Sequence, residues 1–102
     1  MSAADIRHMA SVLATDPVLG RTRRNSLQRE RLWHLQGGRC AYCGRPTRLH
    51  ARETDEDCAT VEHVVPASRG GPQRAGNIVL ACRKCNHGRG SRVLAEFLVA
   101  MT

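Results

Sequence analysis

Cys40-Ala41-Tyr42-Cys43-Gly44 and Cys82-Arg83-Lys84-Cys85 decide how the rest of the chain is read. A Cys-x-x-Cys turn brings two thiolates to one point, and two such turns supply the four sulfur ligands of a tetrahedral zinc site. The 38 residues between the pairs exceed what a simple finger needs, so a functional segment loops out between them. Disulfides are the rival reading. The chain begins Met1-Ser2-Ala3-Ala4-Asp5 with no basic-then-apolar leader, which favours a reducing compartment and gives the cytoplasm as the expected location. Cys40, Cys43, Cys82 and Cys85 are therefore expected to hold a structural Zn²⁺. Cys58 is left over, and as a fifth thiol it is expected to be a small buried side chain.

The composition asks for such a staple. At 102 residues the chain has room for one domain, and Leu, Ile, Val and Phe together make up only 20 of them. That is just under the one-fifth mark at which a charged chain begins to look disordered. Something other than a large core must then hold it together. Sixteen Lys+Arg face nine Asp+Glu for a net charge of +7, and 15 of the cations are arginine. Arginine suits forked contact with phosphate, and an excess of this size is the electrostatic footprint of a nucleic-acid binder. Arg21, Arg23, Arg24, Arg29 and Arg31 crowd together, while Glu53, Asp55, Glu56 and Asp57 form an acidic patch elsewhere. No uncharged run approaches the roughly 20 residues of a membrane span. Trp33, Tyr42 and Phe97 are too few to build a base-stacking platform and are expected in packing roles.

The periodicities predict an α+β fold. Ile6, Met9, Ala10 and Leu13 give a helix over 3–14, ended by Asp16-Pro17 and Gly20. Ser26 is the expected N-cap of a second helix, with Leu27, Leu32, Leu35 and Trp33 as its apolar side up to Gly37-Gly38. Residues 1–36 thus read as a helical, arginine-rich extension, and 37–102 as the domain that carries chemistry. Residues 44–58 read as a loop, and the β-branched run 59–65 as a strand cut off by Pro66. A Gly- and Pro-rich loop over 66–76 leads to a second strand from Asn77 to Leu80. From about Lys84 a helix puts Val93, Leu94, Phe97, Leu98 and Met101 on one face, although Gly88 and Gly90 weaken its first turn.

Between and just after the cysteine pairs lie Glu62-His63, Asn77 and Asn86-His87. Two strands and a helix offering a carboxylate, an imidazole and amides around one spot would suit a hard cation and a general base. The motifs Cys40-Ala-Tyr-Cys43-Gly44, Val61-Glu62-His63-Val-Val-Pro66, Gly76-Asn77-Ile-Val-Leu and Cys82-Arg-Lys-Cys85-Asn86 resemble the zinc-knuckle branch of the HNH endonucleases. Those are ββα-metal enzymes, and the resemblance covers about residues 37–93.

It implies that His63 is the general base, that Glu62 ligates the catalytic metal where Asp is more usual, and that Asn77 orients His63 by accepting from its other ring nitrogen. Asn86 falls at the third motif position, where many members carry His. A neutral imidazole with a pKa of about 6.5 is the natural base near neutrality. A carboxylate with an amide oxygen suits Mg²⁺ or Mn²⁺ better than softer cations. His87 is a second candidate ligand, but adjacent helical residues point about 100° apart, so only one of the two should reach a given metal. Arg69, Arg83, Lys84 and Arg89, the last where the family often has Lys, are the expected phosphate contacts. The function implied is a metal-dependent DNA endonuclease of low sequence preference. The alternative is a non-catalytic zinc-knuckle module that binds nucleic acid, which would need the cysteines but not Glu62, His63 and Asn86 together. Residues 1–36 lie outside the resemblance and could dock a larger DNA-processing complex of phage, restriction or mobile-element type.

Overall fold

Ser2 opens the first helix with a reciprocal cap, its hydroxyl accepting from the Asp5 N–H while the Asp5 carboxylate accepts from the Ser2 N–H. The computed structural model describes residues 1–101. Helix α1 (Ala3–Leu13) buries Ile6, Ala10 and Leu13, as its spacing predicts. Asp16-Pro17 then starts a helix instead of only ending one. Asp16 caps α2 (Pro17–Arg21) by accepting from the Leu19 N–H at 2.9 Å. Proline loses nothing at the first helical position, where its absent N–H has no partner anyway. Asp16 also takes a forked pair from Arg31 at 2.7 and 2.9 Å, and these contacts with the Leu19 N–H hold its carboxyl down at about 2.

Helix α3 (Asn25–Leu35) begins one residue before Ser26, with no side chain capping it. Its inward side differs from the expected leucine stripe: Leu27 and Leu35 are exposed, and Gln28 and Leu32 are buried. Gln28 can be buried because every hydrogen-bonding arm of its amide is used, as described below.

Strands β1 (Ala59–His63) and β2 (Ile78–Cys82) pair antiparallel, with Glu62 opposite Val79 and His63 opposite Ile78. β1 stops two residues short of the expected end, although the Val64 N–H still donates to the Asn77 carbonyl at 2.8 Å. A two-stranded sheet alone is marginal in water. Here β2 is buried along its whole length, and its outer edge is closed by a side chain. The Gln36 amide accepts from the Leu80 N–H at 2.7 Å and donates to the Leu80 carbonyl at 3.1 Å, as a third strand would.

The expected C-terminal helix is two, α4 (Arg83–Arg89) and α5 (Leu94–Met101), broken at Gly90 with φ 57 and ψ −132, a region open to glycine. Leu94, Phe97 and Leu98 of α5 are buried, while Met101 is exposed. Cys58 is buried, as expected of it. Ile6, Ala10, Leu13, Leu19 and Leu32 share one hydrophobic cluster with Val61, Ile78, Val79 and Leu80. The boundary expected at residue 37 therefore divides no core. No helix among the described residues is long and apolar enough to cross a membrane.

Candidate active site and cysteine cluster

Cys82 has three roles at once. It is the last residue of β2, it is the N-cap of α4, where its Sγ accepts from the Cys85 N–H at 3.4 Å, and it is one of four clustered thiols. The sulfurs of Cys40, Cys43, Cys82 and Cys85 all lie within 4.8 Å of one another, with Cys43 and Cys82 3.9 Å apart. A tetrahedral site with Zn–S of about 2.3 Å places its sulfurs about 3.8 Å apart, whereas a disulfide needs about 2.05 Å. The cluster fits a metal ion and not a disulfide pair. Burial first, and the neighbouring Cys40 with it, pushes the Cys82 and Cys85 thiols up. Cys43 shifts the other way: burial raises it, but a backbone hydrogen bond at Arg45 and the neighbouring thiols bring it down on balance.

Because α4 starts at Cys82, it is laid directly across β1. Thr60 and Glu62 share one side of that strand by its two-residue alternation, and Asn86 and Arg89 share one side of α4 by their three-residue spacing. Asn86 Nδ2 donates to Thr60 Oγ1 at 3.0 Å and to the Val61 carbonyl at 3.3 Å. With its nitrogen so used, Asn86 keeps an Oδ1 that makes no hydrogen bond among the described residues. A turn further on, Arg89 is 1% exposed and reaches five groups. It donates to the carbonyls of His63 at 2.8 Å, Val64 at 2.7 Å and Arg92 at 3.0 Å, and to the Tyr42 hydroxyl at 3.1 Å. It also pairs with Glu62 Oε2 at 3.5 Å.

This corrects the expectation that Arg89 grips a phosphate. Its guanidinium is an interior clamp on the end of the His63 strand, and no phosphate can reach it. Tyr42, in the middle of the first Cys-x-x-Cys turn, is the partner the sequence did not reveal. It stacks edge-on against Phe97, and burial, with Glu62 nearby, raises its phenol well above the usual range.

Glu62 is 6% exposed, and its Oε2 has no hydrogen-bond partner. Burial pushes its carboxyl up, against the Arg89 charge and the Tyr42 hydroxyl, which favour the ionised form. Although it lies 3.5 Å from the Arg89 guanidinium, a carboxylate oxygen that makes no hydrogen bond is the kind of donor a divalent cation uses, and the Asn86 amide oxygen is another of that kind. His63 next to it is half-buried, and its ring makes no hydrogen bond among the described residues. Burial and then the Arg89 charge hold its pKa below the ordinary value, so the ring is neutral and can accept a proton.

Asn77 has a different task from the one expected. Its Oδ1 accepts from the Val65 N–H at 2.9 Å, and its Nδ2 donates to the carbonyls of Val65 at 3.1 Å and Pro72 at 2.9 Å. The antiparallel register explains this: with His63 opposite Ile78, Asn77 falls beside Val64 and Val65, and its amide meets that backbone before any ring nitrogen. Asn77 therefore acts on His63 only through the chain that follows it. Gly71 closes the same knot, since a Cβ there would lie 1.8 Å from the Val65 carbonyl oxygen.

The remaining expected contacts separate. Arg83, Asn86 and His87 line one groove of about 500 Å³ with Thr60, Glu53 and Gly90. Lys84 instead lines a cavity beside Cys43, Cys82 and Cys85. Arg69 is exposed and reaches the Ser91 carbonyl at 3.3 Å.

The HNH endonuclease family model matches residues 40–92, which includes both cysteine pairs, β1, β2 and α4. The chain belongs to the HNH endonuclease family. Among curated proteins it is similar to CRISPR-associated endonuclease Cas9 1 of Streptococcus thermophilus, 32% identical over 71 residues, which is 70% of this chain and 6% of that protein. It is also similar to CRISPR-associated endonuclease Cas9 of Corynebacterium diphtheriae, 33% identical over 79 residues (76% of this chain, 7% of that protein). A third, the Cas9 of Actinomyces naeslundii, is 36% identical over 62 residues, 60% of this chain and 5% of that protein. The chain thus spans well under a tenth of the length of these relatives. The HNH assignment accounts for a small α+β fold built on a cysteine cluster, and it supports a nuclease role acting on nucleic acid with divalent metal.

Proposed function

We propose that this HNH chain is a metal-dependent DNA endonuclease that hydrolyses phosphodiester bonds with little sequence preference. The observation that carries the reading is the end of β1, where a buried carboxylate whose Oε2 makes no hydrogen bond stands beside a half-buried imidazole of lowered pKa. His63 takes a proton from the attacking water as it adds to phosphorus. Glu62 and Asn86 would hold Mg²⁺ or Mn²⁺, which when bound stabilises negative charge on the phosphate and the departing oxygen. Arg89 fixes the backbone that presents both side chains, by gripping the carbonyls of His63 and Val64. Arg83, at the groove shared with Asn86, is the phosphate contact best located for the work, and Arg69 is the outlying one. The cysteine cluster holds Zn²⁺ as a structural ion, in keeping with a reducing cytoplasm that leaves thiols unpaired. Endonuclease is also the activity that the relatives are named for.

The test is nicking of supercoiled plasmid with Mg²⁺ or Mn²⁺, comparing wild type with His63→Ala and Glu62→Gln. Nicking by wild type that either substitution abolishes supports the assignment. Equal nicking by all three would remove these residues from the chemistry. No nicking by wild type, with retained DNA binding, would favour the non-catalytic zinc module.

A further inference from the structure

The proposed chemistry uses residues 62 to 89 and leaves the crowded arginines of the N-terminal helices without a task. The structure sorts those five. Arg31 is committed to Asp16 at 2.7 Å, and Arg29 is half-buried on α3. Arg21, Arg23 and Arg24 remain exposed, and none of them makes an ion pair among the described residues. Arg23 and Arg24 lie in the short link between α2 and α3, where Thr22 (φ −93, ψ 125) and Arg24 (φ −73, ψ 131) have extended backbone.

A buried amide fixes where this link sits. Gln28 is fully buried, and its Nε2 donates to the Thr22 carbonyl at 3.0 Å and to the Gln73 carbonyl at 3.1 Å. Its Oε1 accepts from Gln73 Nε2 at 3.1 Å. One nitrogen serving two carbonyls holds those two oxygens within about 6 Å of each other. Arg23, which follows Thr22, and Arg74, which follows Gln73 and is likewise exposed and without an ion pair, are thereby tethered through their neighbours to one buried amide. Pro72, one residue earlier, has its carbonyl bound by Asn77, the side chain that also clamps Val65. A continuous hydrogen-bonded path therefore runs from the arginine link to the end of the His63 strand. An amide this deeply buried is costly to displace once its partners are in place.

We infer that Arg23, Arg24 and Arg74 form a phosphate-backbone grip for nucleic acid, the first two from outside the segment 40–92 that the family model matches and Arg74 from within it. It rests on the nuclease reading for the course of the substrate towards His63, but its binding is measurable without cleavage. Forked guanidiniums with no internal counter-charge suit the repeated phosphates of a nucleic-acid backbone. Half of the protein's own acidic patch is already committed, since Asp55 and Asp57 are paired with Arg48 at 3.0 and 2.8 Å.

Each phosphate contact contributes about 0.9 to the slope of log affinity against log salt. Binding of a short fluorescent duplex to the full chain is to be followed by anisotropy, without added divalent cation, across a salt series. The triple variant Arg23→Ser/Arg24→Ser/Arg74→Ser should lower the slope by about 2.7. Its deficit against wild type should then shrink on the order of forty-fold between about 50 and 200 mM salt. The single Arg74→Ser should lower the slope by about 0.9, which keeps the test decisive should the triple variant fold poorly. The control Arg7→Ser/Arg45→Ser/Arg52→Ser removes the same charge from exposed sites elsewhere. An unchanged slope in the triple variant, or an equal loss in the control, overturns the grip. So does tighter binding to phosphatidylserine vesicles than to duplex, lost in the triple variant, which would assign the strip to a membrane surface. A chain that nicks no DNA yet shows the slope loss keeps the grip and sinks the nuclease reading; one that nicks with an unchanged slope does the reverse.

Discussion

Replacing Arg89 by methionine keeps an unbranched side chain of similar length in the same space and removes every donor. The structure gives the cost. The carbonyls of His63 and Val64 lose partners at 2.8 and 2.7 Å, the Tyr42 hydroxyl loses one at 3.1 Å, and buried Glu62 loses its counter-charge. Breaking a buried pair from one side costs about 3–5 kcal/mol, because the other charge stays behind unpaired. With a urea slope of about 1–3 kcal/mol per molar, the unfolding midpoint should fall by roughly 2 M. Urea unfolding followed by circular dichroism reads this directly. Arg89→Lys should lie between wild type and Arg89→Met, since one ammonium cannot span both carbonyls with fixed geometry. Adding Glu62→Gln to Arg89→Met should recover part of the loss, because a neutral amide replaces the stranded carboxylate. A loss below about 1 kcal/mol in Arg89→Met, or a double variant as unstable as the sum of the singles, would refute the clamp.

Gly71→Ala puts a methyl 1.8 Å from the Val65 carbonyl oxygen and 2.8 Å from Asn77 Nδ2. The loop must open by on the order of 1.5 Å to restore an ordinary contact, so both stability and plasmid nicking should fall; an unchanged melting curve contradicts the knot. For pH, His63 must be neutral to accept a proton, and its lowered pKa keeps it neutral further into acid than a free imidazole. Nicking should hold as pH falls from about 8 through 6.5 and decline only below that; a decline centred above 6.5 rules out a lowered His63 pKa as the controlling group. Stripping the metal from the cysteine cluster, or Cys82→Ser, should unfold the chain and not merely inactivate it, because binding there is folding free energy. A cooperative melt in metal-free protein, with a midpoint equal to that of loaded protein, goes against this.

Much of the site was legible because its signals are local in sequence. The two Cys-x-x-Cys pairs, the β-branched run 59–65 that carries Glu62-His63 and the stop at Pro66 each declare their geometry within a few residues. What was not legible depends on which distant group a side chain meets. Arg89 read as a surface cation until α4 crossed β1 and closed over it. Asn77 was one position off in reach, since register sends its amide to Val65. Asp16-Pro17 carries both a stop and a start signal, and only the following Leu19, buried in the core, decides that a helix resumes. On α3 the expected apolar residue Leu27 is exposed, and its neighbour Gln28 is buried. Its partner Gln73 lies 45 positions away and could not be inferred from spacing.

The Gln36 amide that closes β2 also takes up groups that a second copy's strand would need. A two-stranded sheet presents open edges, and an open edge is a template for pairing with a neighbour's strand. The Leu80 N–H and carbonyl, which would greet such a strand, are both taken, the carbonyl a second time by the Ala41 N–H at 2.9 Å. The side chain that follows α3 thus leaves the middle of β2 no free backbone group to offer a neighbour's strand, which matters in a chain with so small a core.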